Sequence, residues 1–461
     1  MQDLSSFCRW MASAVLFCAP PAIAQGAAPE TAPPLFPGGA LISHNSVFTT
    51  RGPALDAAKQ QTSGMPPTGP AVSLAELVRE AEQNNPEIAA AQRGYQAAAH
   101  VAGQVSALPD TQVSVQQFAV GSPRPFAGYT NTDFAYIGFG ASQEIPFPGK
   151  RSLRGQVAGH EADALQIQIE SVRRTIIAKL KATYFRLSYL QQTLSILERN
   201  DKLLQDVQQI VESRYRVGQG NQQEVLKAQL QRTKILQEIT MHHREVGQLQ
   251  ALLKQLLNRS QETLDIQTEA LALRNMAYSA SDLLSAARQQ NPDIRSQQQV
   301  VRRAESQVDL ARKEFRPDFN VQYMYENTDR KFRDYYLATF GINLPNRGRR
   351  RAELAEAEAG REQASKHLEA ELQKRLAEVQ NQYVFAQTSA EQLRLYKEGL
   401  LPQSEGAFRS ALAAYQANRQ DFETLLSSFL DVLNFQQEYQ RELADHESSL
   451  AQLEALTGVT F

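Results

Sequence analysis

Two apolar periodicities alternate along this chain. In DFNVQYMYE, residues 318–326, Phe319, Val321, Tyr323 and Tyr325 share one face, while Asp318, Asn320, Gln322 and Glu326 share the other. YYLATFGINL, residues 335–344, puts Tyr336, Ala338, Phe340, Ile342 and Leu344 on one side and Thr339, Gly341 and Asn343 on the other. A period of two over such short runs predicts half-exposed β-strands. TQVSVQQFAV and DFAYIGFGASQEI repeat the pattern with weaker phase earlier in the chain. The expected strands are therefore about 111–120, 133–145, 318–326 and 335–344, with GSPRPFAGYTNT and NTDRKFRD as the loops between paired strands.

The second periodicity is helical. Leu165, Ile169, Val172, Ile176, Leu180, Tyr184, Leu187, Leu190, Leu194 and Leu197 step by threes and fours, as do Leu368, Leu372, Leu376, Val379, Tyr383, Ala386 and Leu393. No proline interrupts residues 152–215. Such coiled-coil-like stripes predict rods of about 65 residues, roughly 100 Å long at ~1.5 Å per residue. Shorter helices are expected over Leu74–Ala107 and Ser281–Phe315, stopped by Pro109 and Pro317. Others close each half near 221–257 and 421–457.

These elements occur twice, in the same order. SLAELVREAEQNNPEIAAAQ is answered by SASDLLSAARQQNPDIRSQQ, ALPDTQVSVQQ by FRPDFNVQYMY, EIPFPGKR by NLPNRGRR, and RYRVGQGNQQEVL by AYQANRQDFETLL. A period of roughly 200 residues is too long for a many-unit solenoid and reads as a duplicated half. The fold expected is mostly α with a small β part, built of two helix–hairpin–long-helix halves, 73–278 and 279–461.

Composition changes this picture at the N-terminus. Arg9, the apolar run from Trp10 to Cys18 and Ala22-Ile23-Ala24 read as a signal peptide, residues 1–24, cut before Gln25. Phe17 stands where a lipid-modified cysteine needs a small residue, which disfavours lipidation at Cys18. Residues 25–72 are a Pro/Gly-rich lead. Cys8 and Cys18 are the only cysteines, so the exported portion has no disulfide and no thiolate metal site. The chain carries 48 basic and 50 acidic residues, a balance that does not point to nucleic acid.

No stretch after the leader approaches the length of a membrane-spanning helix. An exported chain with ten-residue amphipathic strands points instead to a β-barrel. Four strands cannot close one, since about eight is the usual minimum for a single chain. Three copies would supply twelve. The alternative is a pair of ordinary hairpins on a soluble periplasmic coiled-coil scaffold.

In this reading QEIPFPGKR, residues 143–151, is where a strand becomes a tunnel helix. Pro146 and Pro148 end the ladder, and Gly149 allows the change of direction. Lys150, Arg151 and Arg154, with Arg347, Arg349, Arg350 and Arg351 after Pro345 and around Gly348, form basic clusters for which outer-membrane lipid phosphates are candidate partners. At the far ends of the rods, Gly218 and Asn418 suit left-handed turn positions. Asn221 suits an N-cap with Glu224 closing a capping box, and Asp421 a second cap.

The duplicated plan and these two segments resemble the TolC-like outer-membrane efflux channels, and QEIPFPGKR is most similar to their heavy-metal (CzcC-like) branch. The resemblance implies a homotrimer with a 12-stranded barrel in the outer membrane, continued by a periplasmic α-helical barrel. It implies a periplasmic membrane-fusion adaptor and an inner-membrane pump of the RND type as partners, and passive export, with heavy-metal cations as the cargo the branch likeness implies. A type I protein-secretion conduit shares the architecture. The tips would be the gate and the adaptor-docking site, comprising Arg214, Tyr215, Gly218, Asn221, Glu224, Tyr415, Asn418, Arg419, Asp421, Glu423, Thr424 and Ser427. Arg419 and Glu224 are the expected charge-linked closure. Thr424 and Ser427 stand where the family has constricting carboxylates, which removes the reason to expect an acidic cation ring. His242, His243 and Glu245 lack the helical spacing of a zinc site. The sequence shows no cofactor motif and no constellation for catalysis.

Overall fold

The computed structural model describes residues 68–118, 135–327 and 334–461, which belong to the compact unit Met65–Phe461. The leader, most of the lead, the expected loop GSPRPFAGYTNT and all of NTDRKFRD except its end residues Asn327 and Asp334 lie outside the described residues.

The chain runs β1 (Thr68–Val72), α1 (Leu74–Asn84), α2 (Pro86–Ser106), β2 (Gln112–Phe118), β3 (Tyr136–Ile145), α3 (Lys150–Arg216), α4 (Gln222–Leu256) and β4 (Asp265–Thr268). The second half follows as α5 (Ala280–Gln290), α6 (Pro292–Lys313), β5 (Asp318–Asn327), β6 (Tyr335–Asn343), α7 (Arg347–Leu395), α8 (Leu401–Gln416) and α9 (Phe422–Thr457), with a π-helical turn, Tyr396–Leu400, between α7 and α8.

Three features correct the sequence reading. The helices expected over 74–107 and 281–315 are each broken. Asn85 and Asn291 sit in extended conformation before Pro86 and Pro292, cap the following helix, and donate side-chain N–H to the carbonyls of Leu256 and Leu456 at 2.9 and 3.0 Å. Proline excludes helical geometry from the residue before it, and the asparagine turns that break into a tether. The lead ends in a strand: β1 pairs in parallel with β4. Gln250 clamps that pair by donating to the Ile266 carbonyl (2.7 Å) and accepting from its N–H (3.0 Å), while Tyr184 donates to the Val72 carbonyl (3.2 Å). Finally, the second rod is not one continuous α-helix, since the π turn interrupts it.

The stripes read from the sequence are buried where the rods meet other helices. Leu180, Tyr184, Leu187 and Leu190 pack with Leu77, Ile88, Leu253 and Ile266. Leu197, Leu204 and Val211 pack with Phe408, Tyr415, Phe422 and Phe429 nearer the tips. Leu376, Val379 and Ala386 pack with Leu450 and Leu453.

The sheet order is β2-β3-β5-β6, antiparallel throughout. Its register aligns Val115, Phe139, Tyr325 and Tyr336 in one row and Val113, Ala141, Tyr323 and Ala338 in the next. That face is apolar and exposed: Val113 is 78 % exposed, Phe340 64 % and Tyr336 64 %. The opposite face carries Ser114, Gly140, Gln322 and Thr339. Edge strands β2 and β6 have no strand beyond them among the described residues. Nor does any described helix have the length and apolarity to cross a membrane.

Candidate functional site

Two places in this frame carry unusual chemistry: the strand–helix junction and the helical tips. At the junction, Pro146 and Pro148 follow the last residue of β3, and the Phe147 N–H between them donates to Asp318 Oδ1 at 2.8 Å. Gly149 lies at φ 94°, a left-handed conformation that strains residues with a Cβ, and a Cβ there would meet Lys313 Cε at 3.0 Å. The turn delivers Lys150 into a fully buried position (0 % exposed). Its ammonium ion-pairs with Glu314 at 3.0 Å and Asp318 at 2.9 Å, and donates to the Arg316 carbonyl at 2.9 Å. The ammonium therefore donates two hydrogen bonds, to Asp318 and to the Arg316 carbonyl, with the Glu314 carboxylate beside them. Arg151 donates to the Ser106 carbonyl (2.8 Å), and Arg154 pairs with Glu314 (3.1 Å).

In the second copy, Pro345 is followed by Asn346, whose side chain accepts from the N–H groups of Gly348 and Arg349. Gly348 is not at positive φ; here the asparagine cap makes the turn. Arg349 pairs with Glu353 (3.2 Å) and Arg350 with Glu314 (3.3 Å). Lys150, Arg154 and Arg350, offered by the sequence to lipid phosphates, are thus engaged by this chain's own carboxylates. Arg347 and Arg351 are exposed and make no ion pair among the described residues.

At the tips, α3/α4 and α8/α9 end in matching turns. Gly218 has φ 75° and Asn418 φ 61°. Gln219 N–H returns to the Arg214 carbonyl (2.9 Å) as Arg419 N–H returns to that of Ala414 (2.8 Å), the long bond of a Schellman closure. Asp421 caps α9, accepting from the Thr424 N–H (3.3 Å) and hydroxyl (2.5 Å). Those bonds hold its carboxyl below the usual range. The capping box expected at Asn221 does not form. Asn221 accepts from the Gln223 N–H instead, and the Glu224 side chain reaches the other tip.

That reach builds a cross-tip cluster. The Arg214 guanidinium lies 4.3 Å from the centroid of the Tyr415 ring and donates to the Tyr415 carbonyl at 2.5 Å and to Asn418 Oδ1. Tyr415 is 1 % exposed, and its hydroxyl donates to Glu224 Oε2 at 2.8 Å. Burial pushes that hydroxyl's pKa up, the bond to Glu224 adds to the rise, and Arg214 opposes it. Lys227 pairs with Glu423 alongside. Within one chain, Arg419 and Glu224 are not brought together: Arg419 is exposed and unpaired among the described residues, and Glu224's partner is Tyr415. Thr424, Ser427 and Tyr215 are exposed. Sequence reasoning placed Tyr415 at the tip but missed its hydroxyl's role, because the acceptor lies 191 residues away. Among the described residues no group of three or more His, Cys, Asp or Glu stands ready for a metal ion, and His242 and Glu245 are 3.9 Å apart as a simple i,i+3 pair.

Paired rods, an exposed apolar sheet face and a coupled pair of tips define an export conduit class. The outer membrane efflux protein family matches residues 77–259 and 283–459, one segment per half, and the chain belongs to that family. It is 26 % identical over 405 residues to the pyoverdine export outer membrane protein OpmQ of Pseudomonas putida, covering 84 % of this chain and 86 % of that one. Among solved structures it resembles the outer-membrane channel OprN (TM-score 0.73, 17 % identity, 84 % of this chain and 89 % of that one). It also resembles VceC of Vibrio cholerae (0.71, 19 %, 84 % and 96 %) and CusC (0.72, 18 %, 86 % and 96 %). The protein is an outer-membrane efflux channel component with a long periplasmic portion, a passive conduit and not an enzyme.

Proposed function

We propose that three copies of this chain close one barrel and one tunnel, and that the conduit is shut at rest by the cross-tip cluster. The observation that carries the threefold assembly is the four-stranded sheet with an exposed apolar face and, among the described residues, two open edges. In hydrocarbon those edges are tolerable only if neighbouring copies pair with them. A periplasmic adaptor docking at the tips and an inner-membrane pump of the RND type complete the path. Arg347 and Arg351, exposed and without an ion pair among the described residues, would meet lipid phosphates of the inner leaflet.

In the gate, Glu224, Tyr415 and Arg214 link the first-half tip to the second, and the adaptor opens the tunnel by separating them. The double variant Glu224→Gln/Tyr415→Phe removes the linking hydroxyl and the charge. Its single-channel conductance in planar bilayers should exceed that of the parent, with the assembly intact. Equal conductance would show the closure to be steric. For cargo, the QEIPFPGKR likeness supports heavy-metal cations, and the relative named for pyoverdine export supports that compound as the second reading. Complementation of strains lacking either export route, scored by metal resistance and by external pyoverdine, separates them.

A further inference from the structure

We infer that the seam between neighbouring copies repeats, residue for residue, the seam already visible between the two halves of one chain. It would pair Phe340 with Val115 and Arg349 with Asp110 of the next copy. The inference rests on the threefold assembly proposed above and adds its register and its ion pair.

The duplication supplies the ruler. Asp110 to Asp318 is an offset of 208 residues across the first strands, and Glu144 to Asn343 is one of 199 across the second strands and the junction. The structure obeys both offsets. The Gln112–Ser142 pair of the first hairpin maps onto Asn320–Gly341, which is a pair of the second. The contact of Arg151 with Ser106 maps onto that of Arg350 with Glu314, also present. Register and junction contacts therefore follow one pseudo-symmetry.

The seam inside the chain joins β3, a second strand, to β5, a first strand. Its counterpart joins β6, a second strand, to β2, a first strand, and these are the two edges of the sheet. The in-chain pairs Ala141–Tyr323 and Ser142–Gln322 then become Phe340–Val115 and Gly341–Ser114. The faces agree without adjustment. Val115 and Phe340 both lie on the exposed apolar face, 55 % and 64 % exposed, while Ser114 and Gly341 lie on the polar one. A slip of one residue would put each on the wrong side, so only slips of two compete.

The junction gives an independent mark. Across the in-chain seam Lys150 pairs with Asp318, which also accepts the Phe147 N–H. The same offsets turn these residues into Arg349, Asp110 and Asn346. In one chain the Arg349 side chain is 66 % exposed and, among the described residues, pairs only with Glu353 on its own helix. Asp110 is exposed and makes no ion pair or side-chain hydrogen bond among the described residues. Each is what half of a Lys150-type contact looks like before its partner arrives.

Cysteine cross-linking tests the register, since the native cysteines, Cys8 and Cys18, lie far outside the strands. Two consecutive pairs are needed because one of them is a non-hydrogen-bonded pair, where the strands approach most closely. Under oxidation the full-length Val115→Cys/Phe340→Cys or Ser114→Cys/Gly341→Cys chain should convert into reducible linked dimers and trimers. The offset pair Val113→Cys/Phe340→Cys should leave it largely unlinked. Arg349→Glu and Asp110→Arg should each lower the temperature at which the detergent-solubilised trimer dissociates, and the double variant should recover it. A trimer that links best at the offset pair, or whose charge swap gives no recovery, overturns this seam while leaving the assembly standing. A parent protein that is monomeric in detergent overturns both.

Discussion

Replacing Lys150 with methionine isolates the contribution of the buried junction cation. Methionine has similar length and keeps the side chain's apolar packing, so the change removes the ammonium and little else. The partners left behind are not equally stranded. Asp318, its side chain 17 % exposed, keeps the Phe147 N–H, while Glu314, at 14 %, keeps Arg154 and Arg350. The Arg316 carbonyl loses a donor. Breaking a buried pair by removing one partner costs about 3–5 kcal/mol. The remaining contacts place this case near the lower end, at about 3 kcal/mol. The double variant Lys150→Met/Asp318→Asn removes one of the stranded charges and keeps the Phe147 acceptor. It should therefore cost less than the sum of the two single changes, by roughly 0.5–3 kcal/mol for residues in direct contact. The dissociation temperature of the detergent-solubilised assembly reads the loss, and hydrogen exchange at Phe319 and Asn320 localises it to the start of β5. An unchanged dissociation temperature in Lys150→Met, or strict additivity in the cycle, would refute the claim that this ion pair locks strand to helix.

Three other outcomes follow from the same geometry. Val321→Lys, on the apolar sheet face, should cost about 2–4 kcal/mol if it stands near the bilayer midplane, read as loss of assembled protein in the outer-membrane fraction. Deleting Gly399 within the π turn should leave assembly intact, whereas deleting Ala370 from the regular part of α7 should abolish it, because only the first deletion leaves the apolar stripes on both sides facing their partners. The Asp421 carboxyl is held low by Thr424, so the cap it provides is fully present above the unfolded value of about 3.9 and is lost as pH falls through its lower native value. Intrinsic-rate-corrected amide protection at Thr424 should drop over that window, and equal protection on both sides of it would contradict the cap.

What the sequence disclosed was whatever a local period or a single residue's conformational preference encodes. The alternation of β5 and β6 needs only nearest neighbours, the α3 stripe needs only spacing, and Gly218, Asn418 and Asp421 announce turns by their own chemistry. The contacts that make the sites were hidden, because each joins residues far apart in the chain. Lys150 looked like a lipid ligand until Glu314 and Asp318 arrived from the other half, and Glu224 looked like a capping residue until Tyr415 did. The strand β4 has four residues, DIQT, too few to show a period, and its order comes from Gln191 and Gln250 on the neighbouring helices.

The π turn lies between these cases. The offset between the halves is 199 at Gly149 and Gly348 but 200 at Arg214 and Ala414, so the second rod carries one extra residue somewhere between. Comparison of the two copies announces the insertion without locating it. In a plain α-helix one added residue would rotate everything beyond it by about 100° and turn the stripe of α8 away from Phe422 and Phe429. Absorbing it as a single wide turn keeps Phe408 and Tyr415 on the buried side. The wide turn falls at Tyr396–Leu400, where Tyr396 meets Phe435 and the polar side chains of Glu438, Arg441 and Glu442 line a cavity of about 320 Å³. Looser packing there tolerates a helix that is locally too wide, whereas the Leu376–Val379–Ala386 layer, closed against Leu450 and Leu453, does not.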